Sequence, residues 1–191
     1  MTENLSSVSM EALIGELLQR RDQILTPNGL VIPLVYDFIV QFKPLPCVEV
    51  VPVRRMSDNQ LGVIIRATGP EKGKLAVMGS GVNKNESISN AILRTLQTDL
   101  GINSFEFYGS ITEETPFRVG QHLHSPKTSE DIPYDPTKHA VGVAYLVEIN
   151  GDPSPRNEAS DFFWITRDQI PPITAYNHWT ILKSAFNYLE T

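Results

Sequence analysis

The sequence predicts an α/β sandwich, a mixed β-sheet between helices, with an N-terminal helical extension ahead of it. Three observations carry this. Short apolar runs rich in β-branched residues recur between positions 47 and 166, separated by turn signals such as Ser57-Asp58-Asn59 and Gly69-Pro70. The stretch 79–102, GSGVNKNESISNAILRTLQTDLGI, reads as a glycine turn running into a helix that stops at Gly101. The chain closes on a segment whose Ile181, Leu182, Phe186 and Leu189 fall on one helical stripe.

Taken in order, Leu13, Ile14, Leu17 and Leu18 recur at helical spacing behind Ser9 as N-cap, and Thr26-Pro27-Asn28-Gly29 should end that helix. Residues 30–42 stay ambiguous, because their β-branched content argues for a strand and Pro33 against one. The expected division is therefore an N-terminal helix and arm over 1–45 and the α/β domain over 46–191. Strands are expected over 47–55, 61–67, 74–78, 104–111, 139–149 and 161–166, with the closing helix over 174–189. Between them, 112–138 reads as a long polar loop holding Pro116, Pro126, Pro133 and Pro136, and loops of that length are commonly functional. It is a lid candidate.

With 191 residues, the chain is long enough for one sizeable core. Its net charge of −6, without a basic run, argues against a nucleic-acid surface, although a local arginine pocket can still hold a small anion. One cysteine, Cys47, allows neither an internal disulfide nor a thiolate metal cluster. The first residues, MTENLSSVS, show no secretory pattern, and the longest apolar stretch is too short to span a bilayer. A cytoplasmic protein without nucleic-acid or membrane partners is the expectation.

Around the 79–102 helix, at about 100° per residue, Ile88, Ile92, Leu96 and Leu100 form an apolar arc, and Asp99 lands inside its edge. A carboxylate there must be desolvated, and in the last turn the helix dipole disfavours it too. Either an arginine of the chain pairs with Asp99, or a divalent metal does. Arg94 stands near Glu86 on the helix surface, where it either fixes the glycine loop or reaches a phosphate bidentately.

Glu86, Arg94, Asp99, Gly101 and Ile102 fall in the register of the Nudix box, G-x5-E-x7-R-E-U-x-E-E-x-G-U with U aliphatic. Thr95 and Thr98 stand where that box usually has glutamates, and Ser80 where it has its first glycine. The chain thus resembles the Nudix superfamily, and within it the GDP-mannose mannosyl hydrolases over roughly 45–185. GSGVNKNES is similar to their GGRVQKDET, DLGI to ELGL, FEFYGS to GQFYGV, and SDFFWIT to DDYRWLT.

The resemblance implies a magnesium (or manganese) ion held by the Gly79 carbonyl, Asp99 and Glu158, a diphosphate met by Arg66 and Arg94, and a further ligand contact at His139. It implies Glu86 and Gly101 as structural members of the box. Three departures stand beside these matches: Ala159 where the family has its catalytic histidine, Gly81 for an arginine, and Ala140 for a tyrosine. The base must then come from elsewhere, with His122 and His124 on the long loop as candidates and Glu113 or Glu114 as further ones. The expected function is magnesium-dependent hydrolysis of a nucleoside diphosphate derivative such as a nucleotide sugar. The alternative is a Nudix-fold nucleotide-binding or regulatory protein without turnover. The resemblance also admits a homodimer.

Overall fold

The computed structural model describes residues 15, 43–54, 59–122, 135 and 137–191, with the side chains of 121 and 122 excepted. The chain separates into a unit Met1–Lys43 and a unit Pro44–Thr191, and the sheet and its helices belong to the second. The expected N-terminal helix and the ambiguous 30–42 segment lie outside the described residues.

Eight described strands form one mixed sheet: β1 (Leu45–Arg54), β2 (Gln60–Arg66), β3 (Leu75–Ala76), β4 (Met78–Gly81), β5 (Phe105–Phe107), β6 (Arg118–His122), β7 (Ala140–Ile149) and β8 (Ala159–Ile165). β1 is the hub. Along most of its length it pairs in parallel with β7, from Leu45↔Ala140 to Pro52↔Val147, while Cys47–Val50 pair antiparallel with β4. Beyond Pro52 the β4 side is handed to β2, starting at Val53↔Leu61. Proline has no N–H to give a ladder, so it suits the point where one neighbour ends and the next begins. The outer strands are β8 and β3 on β2, and β5 and β6 on β7.

Among the described residues two α-helices flank the sheet, α1 (Ile88–Leu100) and α2 (Trp179–Leu189). α1 starts where the Ser87 side chain accepts from the Asn90 N–H and ends at Gly101 with φ 71°, where the Gly101 and Ile102 amides return to Gln97 and Leu96 carbonyls. Glycine takes that left-handed terminus without a Cβ penalty. The register assigns the helices to opposite faces. Ser80 of β4 meets Thr95 of α1 at 2.6 Å, whereas its neighbour Gly79 shares the other face with Glu49. Arg118, joined to that second face through Ala144, donates to the Thr180 carbonyl and the Ser184 hydroxyl of α2. The core between the layers includes Val48, Val50, Leu61, Ile64, Met78, Ile92, Leu96, Leu100, Leu146 and Leu182, each at most 1 % exposed.

Two expectations need correction. The 112–138 stretch is not one structureless loop, because β6 lies inside it and pairs with β7 from Arg118↔Ala144 to His122↔Ala140. Its alternating Arg118, Gly120 and His122 complete a sheet edge, which outweighs the turn signals around them. The closing helix starts at Trp179 rather than near 174, because Tyr176 and Asn177 adopt left-handed φ values of 50° and 58°. A right-handed α-helix cannot pass through them.

Candidate active site

The glycine loop is shaped from α1. Arg94 donates through Nε to Glu86 Oε1 at 2.7 Å and through Nη2 to Glu86 Oε2 at 2.8 Å, a bidentate pair, and Nη2 also reaches the Gly81 carbonyl at 2.7 Å. Glu86 Oε2 in turn accepts the Asn83 amide at 2.8 Å. The pairing holds the Glu86 carboxyl below, and the Arg94 guanidinium above, their ordinary ranges. Of the two roles open to Arg94 in the sequence, the geometry shows the loop clamp. Thr95 spends its hydroxyl on the Ala91 carbonyl and on Ser80.

At the other end of α1 a second cluster forms. Asp99 is 5 % exposed, and burial, followed by the neighbouring Glu158 carboxylate, pushes its carboxyl up to about 6. The Glu158 backbone N–H donates to it, and the fields of Arg66 and Arg156 oppose the rise without cancelling it. Among the described residues no lysine or arginine forms an ion pair with Asp99. Arg66 pairs instead with Glu158, Nη1 to Oε2 at 3.2 Å.

The 154–158 segment is tied to the end of α1. The Arg156 amide donates to the Asp99 carbonyl at 2.9 Å, its guanidinium to the Gln97 and Thr98 carbonyls, and Asn157 also donates to Thr98. An arginine at a helix C-terminus satisfies orphan carbonyls and complements the dipole. This clip is what brings Glu158, distant from α1 in sequence, beside Asp99.

Sequence reasoning missed Glu49, a carboxylate only 5 % exposed on β1, opposite Gly79. A Cβ on Gly79 would collide with the Glu49 carboxyl and stand 3.0 Å from the Val48 carbonyl, which explains the glycine. The available signal was a lone acid inside an otherwise apolar strand. Cys47 lies on the same face, and burial, then Glu49, pushes its thiol up to about 11, which disfavours the thiolate. Tyr176 and Arg156 were also missed. Glu113, one suggested base, is engaged by α1, with Oε1 on the Ile88 amide at 2.8 Å and Oε2 on the Ser89 hydroxyl at 2.9 Å. His139 immediately precedes β7, its carbonyl accepting the Leu45 amide. His122 ends β6, with its side chain outside the described residues, as is the whole of His124. A surface pocket of about 360 Å³ lined by Ile170, Pro171, Pro172, Trp179 and Lys183 contains none of these groups.

Among the described residues no three His, Cys, Asp or Glu side chains converge as a metal-binding group. Two adjacent carboxylates, one of them buried with no ion-pair partner among the described residues, nevertheless fit magnesium. That ion is commonly bound by one or two carboxylates with the rest of its shell from water and substrate phosphates. Among the described residues no helix is long and apolar enough to cross a membrane.

A mixed sheet between two helices, with a glycine loop clamped onto a helix that ends in a buried acid, defines a Nudix-fold protein. Solved structures agree. A candidate asymmetric diadenosine tetraphosphate hydrolase from Jonesia denitrificans matches with a TM-score of 0.65 and 27 % identity, over 78 % of this chain and 96 % of that one. A MutT Nudix hydrolase from Burkholderia pseudomallei matches with a TM-score of 0.56 and 19 % identity, over 75 % and 97 %. The Nudix domain of NrtR from Shewanella oneidensis, complexed with ADP-ribose, matches with a TM-score of 0.57 and 16 % identity, over 92 % and 97 %. Comparison with curated proteins gives no match. Residues 35–184 match the family described as Domain of unknown function (DUF4916), and the chain belongs to that family.

Proposed function

We propose that this protein is a magnesium-dependent hydrolase of a nucleoside diphosphate derivative, with nucleotide sugars as the first class to test. One observation carries the reading: Asp99 is buried beside a second carboxylate with no ion-pair partner among the described residues, an arrangement that raises its proton affinity. Stability alone gives no reason for it, since a neutral side chain would remove the desolvation and the repulsion. Asp99, Glu158 and the Gly79 carbonyl would hold the ion. Bound there, it supplies positive charge against the diphosphate and its leaving group.

The chain's own groups do the rest. Arg66, 14 % exposed at its side chain, spends Nη1 on Glu158 and lies within the field of Asp99, so it brings a cation to the place where phosphate charge must be neutralised. Arg94 acts through the loop it clamps, keeping Gly79–Gly81 open to a close backbone approach. The Glu158 N–H keeps the Asp99 carboxylate oriented. Ala159 offers no base, so the proton of the attacking water goes to His122, which ends β6, or to His124, with His139 as a further contact to the ligand. The likeness to solved hydrolases and to an ADP-ribose-bound domain supports a nucleotide ligand.

A second reading, a nucleotide-binding protein without turnover, is favoured by Thr95, whose hydroxyl is used internally where a box glutamate would face the ligand. One experiment separates the two. Nucleotide sugars and dinucleoside polyphosphates are incubated with wild type and Asp99→Asn in magnesium, scoring product release and thermal stabilisation. Release by wild type alone supports the hydrolase. Stabilisation by one compound without any release supports the binder.

A further inference from the structure

We infer that Tyr176 is a positioning residue whose ring, presented by a strained backbone, fixes the Arg66 guanidinium in the orientation that grips a diphosphate. The inference rests on the proposed function, and it starts from how little else holds Arg66. The residue leaves β2 at a break in register between Ile65 and Arg66. Its polar contacts are lopsided: Nη1 meets Glu158 at 3.2 Å, while Nε is buried with no hydrogen-bond partner among the described residues. One ion pair cannot orient a planar fork with five donors. The second restraint is aromatic, with the Arg66 Cζ 5.1 Å from the centroid of the Tyr176 ring. The corner beside it is left open by Gly69 (φ 78°), where a Cβ would stand 3.2 Å from Arg66 Nη2 and 4.0 Å from the Tyr176 hydroxyl.

The backbone supplies an independent observation. Tyr176 (φ 50°, ψ 25°) and Asn177 (φ 58°) are consecutive non-glycine residues in the left-handed region. Asparagine tolerates that region, but tyrosine carries a steric cost there that glycine would avoid. The ring must therefore be used for something. Packing is part of it, since Tyr176 rests on the core and lies 5.7 Å from His178. Packing alone would accept any large apolar side chain and would be indifferent to Arg66. The stack would not.

Pyrophosphate binding in the presence of magnesium tests this by titration calorimetry on wild type, Tyr176→Phe, Tyr176→Leu, Arg66→Met and the Tyr176→Leu/Arg66→Met double variant. Loss of a desolvated cation–π contact should weaken Tyr176→Leu about tenfold, with Tyr176→Phe within about threefold of wild type. In the Arg66→Met background the leucine change should cost nothing further, because it acts through the arginine. Should Tyr176→Leu not fold, Tyr176→Asn removes the ring while suiting the backbone. Wild-type affinity in Tyr176→Leu, equal losses in Phe and Leu, or additive losses in the double variant each overturn the inference and leave the proposed function standing. Wild type that fails to bind pyrophosphate overturns both.

Discussion

Asp99 is an expensive residue in a cheap-looking place. With its native carboxyl at about 6 against an ordinary 3.8, the folded protein binds more protons than the unfolded chain between those values. Stability present below pH 4 is therefore lost as pH rises through 6, on the order of 3 kcal/mol. Asp99→Asn removes that slope. Urea titrations in chelator from pH 4 to 7 should show the variant more stable than wild type at pH 7, with the difference shrinking towards pH 4. The same substitution should abolish magnesium binding by calorimetry. A residue whose removal strengthens the fold and silences the site is placed for function. Equal stabilities at pH 7 would mean that the carboxylate is already compensated.

At the scale of elements, α1 is held at both ends by partners distant in sequence. Glu113 puts a carboxylate on its first amide, that of Ile88, and on the Ser89 hydroxyl, and Arg156 puts a cation on its C-terminal carbonyls. Glu113→Ala should cost about 1–2 kcal/mol in urea denaturation, from the lost cap and the lost dipole interaction. No sequence pattern announces such caps, because neither partner is within the local window that periodicity reads. What the window does contain was legible. The helix end at Gly101 and the inward Asp99 follow from spacing, whereas Glu86, expected on the helix, precedes its Ser87 cap. The six expected strand regions each overlap observed ones, with 104–111 shortened to Phe105–Phe107. β6 was hidden, since Arg118 to His122 carries no apolar alternation and owes its conformation to β7. Glu49 and Tyr176 were hidden for a related reason: each matters through a neighbour, Gly79 or Arg66, that only the folded chain supplies.

For the whole molecule, the test of the metal site is linkage. A ligand that binds the native state alone stabilises it by about 2.7 kcal/mol at one hundred times its dissociation constant. For a chain of 191 residues this is a rise in Tm of about 5–10 °C. Magnesium should produce that rise in wild type and not in Asp99→Asn, as followed by differential scanning calorimetry. The rise should be larger at pH 7.5 than at pH 5, because binding must displace the proton that Asp99 holds below about 6. A rise of the same size at both values would place the ion elsewhere.

The strand that serves β2, β4 and β7 in turn has one more implication. Where β4 and β7 flank it on both sides, it has no edge that can peel away and leave its amides open, so Val48 to Val50 should surrender their hydrogens to deuterium only when the entire domain comes apart. Glu49 rides in the middle of that slowest-exchanging run. Whatever it contributes is thus built into a strand held from both sides, where its backbone has little freedom to move.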